Sequence, residues 1–83
     1  MKLPRDIGGM ELARLLEKRG YSITRQTGSH IRLTSGIQGT EHHVTIPHHK
    51  PLKTGTLSSV VNSIALYLKV NRDELIQDIF KKK

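Results

Sequence analysis

The 83-residue chain has no cysteine and no tryptophan, only three aromatic side chains (Tyr21, Tyr67 and Phe80) and only seven acidic residues. Each shortage excludes something. Without cysteine, neither disulfides nor thiolate metal centres can reinforce a small core. Three aromatics give little to a surface that reads single-stranded RNA by stacking its bases. Tyr21 and Phe80 are expected in the core, and the place of Tyr67 stays open. No apolar run approaches the ~20 residues that a membrane span needs. Met1 to Asp6 carries two basic residues with no apolar stretch behind them, which does not read as a secretory signal. A soluble, cytoplasmic protein is expected. There is no internal repeat, no low-complexity tract, no Walker loop and no dinucleotide fingerprint, since Gly8-Gly9 is an isolated pair.

The scarcity of acid has a positive side. Fourteen Lys and Arg against seven Asp and Glu leave a net charge of +7. Such a balance favours a polyanionic partner, nucleic acid or an acidic protein, through long-range attraction and counterion release. Part of the excess lies in Lys81-Lys82-Lys83, which reads equally as a solvated tail. The length suits one domain over residues 1–83, and a chain this short buries only about 60% of the surface its unfolded form exposes.

Hydrophobic spacing divides the chain. Leu12, Leu15 and Leu16 recur at helical spacing within Gly9 to Arg19, and Gly20 supplies a stop. The period then becomes two. In Tyr21 to Gln26, Tyr21 and Ile23 point one way and Ser22, Thr24 and Gln26 the other. Thr27-Gly28 is a turn. Ser29 to Thr34 alternates again, with Ile31 and Leu33 inward and His30 and Arg32 outward. Glu41 to Pro47 is a third strand, with Val44, Ile46 and His42 toward the core and His43 and Thr45 away. After the loop Pro47 to Lys53, Thr54 or Gly55 opens a helix with Leu57, Val60, Val61, Ile64 and Leu68 on one face. Asn71 caps a last helix carrying Leu75, Ile76, Ile79 and Phe80, where Val70 can staple against Leu75. The expectation is an α+β fold, a three-stranded antiparallel meander with helices on one face. Its other face stays open and carries His30, Arg32, His43 and Thr45.

His30 is the first candidate for chemistry. Histidine ordinarily titrates near pH 6.5, so it accepts and donates protons at cellular pH. RNA carries its own nucleophile, the 2′-hydroxyl, and needs only a base to activate it. Arg32, on the same face, is placed to hold the phosphate. On spacing alone, an ordinary polar strand surface supplies the same histidine. The second candidate is the loop holding His48, His49, Lys50 and Lys53 ahead of Gly55-Thr56, where helix N–H groups favour an anion; an ordinary capped helix behind a basic loop fits equally. A metal site is not expected. His42 and His43, adjacent on a strand, face opposite ways, and Glu41 is the only acid near the histidines. No cofactor is called for.

Taken in order, Gly20-Tyr21, Gly28-Ser29-His30, Val44-Thr45-Ile46-Pro47 with His49 two residues on, and Leu52 to Leu57 resemble the HicA toxin family of mRNA interferases. The resemblance covers residues 7–68. It implies a fold similar to the double-stranded-RNA-binding domain, metal-independent endoribonuclease cleavage of mRNA, and neutralisation by a HicB-type antitoxin. It makes His30 the catalytic histidine, flanked by Gly28 and Ser29. From the reading of the open face and the basic loop, Arg32, His49, Lys50, Lys53, Gly55 and Thr56 are the expected RNA and phosphate contacts. Residues 70–83, the last helix and basic tail, extend beyond the matching pattern, and His48 has no counterpart in it. Two readings of other classes stand beside this one: a non-catalytic RNA-binding module using the same face, and an interaction protein whose charge meets an acidic partner.

Overall fold

The computed structural model describes residues 3–80. The Lys81 to Lys83 tail and the first two residues of the N-terminal stretch lie outside the described residues. The elements follow the order α1 (Gly9–Glu17), β1 (Ser22–Gln26), β2 (His30–Ser35), β3 (His42–Pro47), α2 (Thr54–Leu68) and α3 (Arg72–Phe80). The strands form an antiparallel β1-β2-β3 meander. Gly20 does stop the first helix: at φ 93° it occupies the left-handed region, and the Tyr21 N–H closes on the Leu16 carbonyl at 3.3 Å.

One side of the sheet is covered. Ile31, Leu33, Val44 and Ile46 meet Leu12, Leu16, Leu57, Val61 and Ile64 in a single apolar cluster, and Tyr21 is buried with them. α3 packs on α2 and α1 and adds Leu75, Ile76 and Ile79, with Phe80 partly buried. Its cap is the expected one, as Asn71 Oδ1 accepts the N–H groups of Asp73 (2.9 Å) and Glu74 (3.1 Å). Val70 stays 44% exposed.

β1 departs from simple alternation. Ile23 pairs with Leu33, but the next pair is Arg25 with Arg32, then Gln26 with Ile31. Thr24 is therefore the extra residue of a β-bulge. Ser22 and Thr24 lie on the open side as expected. Gln26 does not, because the inserted residue moves it into register with the core-facing Ile31 and turns Arg25 outward in its place.

His42 ties the two layers together. Its Nδ1 lies 2.6 Å from the Tyr21 hydroxyl and its Nε2 2.9 Å from Ser63 Oγ, and its ring stacks on Tyr67 at 4.7 Å. Burial, with a smaller contribution from Tyr67, pushes the Tyr21 phenol up to about 12. Tyr21 therefore stays protonated and donates to Nδ1, which leaves Nε2–H to donate to Ser63. The Tyr67 hydroxyl donates to the Thr40 carbonyl and accepts the Gln38 N–H (3.0 Å), which fixes the β2–β3 loop.

Gly9 sets the loop after β3. Its N–H donates to the His49 carbonyl at 3.0 Å, and a Cβ there would fall 2.1 Å from the Pro47 carbonyl oxygen. Two outcomes follow. In an ordinary helix, replacing glycine by alanine gains about 1 kcal/mol; here Gly9→Ala is expected to lose about 1–3 kcal/mol through overpacking, read as a lower urea midpoint. A higher midpoint would show that the close approach is not obligatory. The second concerns pH. Burial, and secondarily His43, holds His42 below its ordinary range, so the unfolded chain binds the proton more readily than the folded one. Stability is full above about pH 6.5 and falls as pH drops through that value toward the folded midpoint. Thermal unfolding between neutral and mildly acid pH should show this slope, and His42→Gln should flatten it.

Candidate active site

The β1–β2 hairpin holds His30 from both sides. The Thr27 N–H donates to the His30 carbonyl at 2.9 Å, and Thr27 Oγ1 accepts the N–H groups of His30 (3.0 Å) and Ser29 (3.3 Å). A threonine hydroxyl thus substitutes for a turn carbonyl. From β3, Pro47 pairs with His30 and the His48 N–H donates to the Ser29 carbonyl at 2.8 Å. His48, unplaced by sequence, thereby acts through its backbone and extends the β2–β3 pairing by one bond. The His30 side chain is exposed. Its Nδ1 lies 3.0 Å from Ser29 Oγ, and Nε2 makes no hydrogen bond among the described residues.

A shallow hollow of about 250 Å³ opens beside it, lined by Arg25, Thr27, His30, Arg32 and Thr45. Arg32 stands at the centre, opposite Arg25 on β1 and Thr45 on β3. Among the described residues, neither guanidinium makes an ion pair or a side-chain hydrogen bond. The next row is linked across all three strands. Thr24 Oγ1 lies 3.0 Å from Thr34 Oγ1, which lies 2.8 Å from His43 Nδ1. His43 Nε2 is 3.7 Å from Glu41. His43 pairs with Thr34, four residues beyond His30, so the two histidines stand about 13 Å apart along the strand.

The structure does not bring the remaining candidates into this hollow. His49 and Lys50 line a separate one of about 350 Å³ at the start of α1, with Gly8, Gly9, Met10, Glu11 and His48. Lys50 Nζ lies 3.2 Å from Glu11. The Gly8 N–H first, and Lys50 second, hold the Glu11 carboxyl below its ordinary range. Lys53 begins α2 without a side-chain cap, and Thr54 and Gly55 are exposed there while Thr56 is half-buried. A Cβ at Gly28 or at Gly55 would meet no atom within 4 Å, and neither glycine has a positive φ. The chain's own packing therefore requires glycine at neither position.

His42 and His43 point to opposite sides of β3, as alternation demands. Among the described residues, no three histidine or carboxylate side chains converge as a metal would require. Two members of the hollow are not evident from sequence periodicity. Arg25 reaches it only through the bulge, which no periodicity announces. Thr27 did carry a signal, since threonine at a turn entrance often bonds nearby backbone N–H groups.

Residues 9–66 match the family model of the HicA toxin of bacterial toxin–antitoxin systems, from the first residue of α1 through most of α2. Searches of curated proteins and of solved structures give no match.

Proposed function

The chain belongs to the HicA toxin family of bacterial toxin–antitoxin systems, and from that premise we propose that it is an endoribonuclease that cleaves mRNA on the open sheet face without a metal. The observation that carries this reading is the exposed His30 ring, with Nδ1 against Ser29 and Nε2 free beside Arg32.

With Nδ1–H donating to Ser29 Oγ, the lone pair of Nε2 is available as a base. Nε2 takes the proton of an RNA 2′-hydroxyl. The 2′-oxygen bonds to the adjacent phosphorus while the P–O5′ bond breaks, and the 5′-oxygen leaves with a proton from solvent. A 2′,3′-cyclic phosphate and a 5′-hydroxyl result, and His30 returns its proton to solvent. Arg32, about 7 Å along the strand from His30, meets the charge that builds on the non-bridging oxygens. His43 is too far away to serve as the matching acid. A site with one acid–base group is sparse, worth roughly 10²–10⁴-fold, and slow turnover suits an enzyme whose effect accumulates over many transcripts.

Gly28, open on the side where a Cβ would meet nothing, leaves room for the ribose next to His30. Lys53 and the uncapped start of α2 at Gly55-Thr56 offer a second phosphate seat, and His49 and Lys50, in their own hollow at the start of α1, offer further basic contacts. Action in the cytoplasm and neutralisation by a HicB-type antitoxin complete the reading.

Induced expression of wild type and His30→Ala in bacteria tests it. Wild type should arrest growth and fragment an abundant mRNA. His30→Ala, equally folded by circular dichroism, should do neither, with purified activity down by at least about 10²-fold. Equal fragmentation by both proteins would remove His30 from the mechanism.

A further inference from the structure

Resting on the reading of the open face as an RNA-cleaving surface, we infer that Arg25 and Arg32 form a two-armed clamp on one RNA phosphodiester beside His30, and that the bulge at Thr24 is what delivers Arg25 to it.

In a regular strand Arg25 would share the side of Tyr21 and Ile23, against the helices. The extra residue Thr24 turns it outward and sets it directly across from Arg32. Side chains so paired have Cβ atoms about 4.5–5.5 Å apart, and like charges at that spacing are unfavourable. Among the described residues, no carboxylate pairs with either guanidinium. Glu41 sits by His43 in the next row, and Glu11, Glu17 and Asp78 are engaged by Lys50, Arg14 and Arg19 on other parts of the molecule. Bulges commonly re-aim a side chain next to an active site, and this one sets two exposed guanidiniums across from each other, where solvent screens their repulsion and a bound anion would turn it to attraction.

The anion that fits is a phosphodiester. It offers two non-bridging oxygens, one for each guanidinium, and the rigid planar forks suit that bidentate geometry. The Thr45 hydroxyl lies on the other flank of Arg32 and His30 on the rim of the same hollow. Because the hollow is shallow and open along the sheet, it accommodates a chain passing across it. Two fixed positive charges here act on the phosphate both as bound and as it gains charge during attack by the 2′-oxygen. An acidic side chain of a protein would also neutralise the pair, but it would leave the free Nε2 of His30 with nothing to act on.

The test uses the purified full chain as wild type, Arg25→Ala, Arg25→Lys and His30→Ala. One probe is a labelled single-stranded oligoribonucleotide, and the other its 2′-O-methyl counterpart, which has no nucleophile and reports binding alone. Arg25→Ala should lose about ten- to a hundredfold in cleavage rate. Its affinity for the 2′-O-methyl RNA should fall, with a log–log salt slope shallower by about 0.7 for the lost contact. Arg25→Lys should recover the slope but only part of the rate, because an ammonium lacks the fork. His30→Ala should keep the slope and lose the cleavage. With the repulsion removed, the thermal midpoint of Arg25→Ala at low salt should equal or exceed that of wild type. Wild-type slope and rate in Arg25→Ala would overturn the clamp. So would unchanged RNA binding in a variant that no longer copurifies with its antitoxin, which would assign the pair to a protein partner. If wild type binds but does not cleave, and Arg25→Ala still loses slope, the clamp stands and the nuclease reading falls.

Discussion

A side chain on these three strands has two destinations, the helices or the solvent, because all the covering elements pack on one face of the sheet. That constraint governs the molecule. Burying Ile31, Leu33, Val44 and Ile46 forces His30, Arg32 and Thr45 to the opposite side, so the core and the candidate site are set by one register. A slip of one residue would exchange them. The register is accordingly pinned at several points: by the Thr27 hydroxyl at the hairpin, by the His48 N–H beyond the end of β3, and by the His42 clasp between sheet and α2.

The same constraint explains what could be read from the sequence. Period two in β2 and β3 is strong, with apolar residues at alternate positions, so both the core and the outward placement of His30, Arg32, His43 and Thr45 were legible. Helix boundaries followed from Gly20 and Asn71, whose side-chain and backbone properties act locally. β1 was harder, since it has one strongly apolar residue, Ile23, followed by polar ones that fit either side. With so little burial at stake, periodicity could not reveal that Thr24 is an insertion, and Arg25 was lost with it. Lys50 was legible as a basic loop residue, but its pairing with Glu11 depends on the long-range approach of α1 to the loop after β3. That approach is made possible by Gly9, which in the sequence is one of two adjacent glycines with no evident role.

The histidines show how far neighbours decide the use of one side-chain type. His42, half-buried between Tyr21, Ser63 and Tyr67, has both nitrogens occupied and is held neutral by burial. His43, one residue on, faces the open side and joins a hydroxyl row ending at Glu41. His30 alone of these three keeps a ring nitrogen without a partner while the other is anchored. A fixed ring with a free nitrogen is what proton transfer needs. Satisfying every polar group, the rule that makes His42 a good structural residue, would leave His30 no free nitrogen for the role proposed for it.

The segment by which the family is recognised ends at residue 66, inside α2, yet Leu75, Ile76 and Ile79 of α3 belong to the same apolar cluster as Leu12 and Leu57. What identifies the chain and what folds it therefore have different lengths. The matched stretch holds the open face of the sheet whole. Beyond that stretch, Tyr67 stacks on His42 and holds the β2–β3 loop, Asp78 pairs with Arg19, and α3 closes the back of the core. A chain cut at the end of the matched stretch would lose Leu75, Ile76 and Ile79 from its core, so the stretch that names the family is not by itself a complete folding unit.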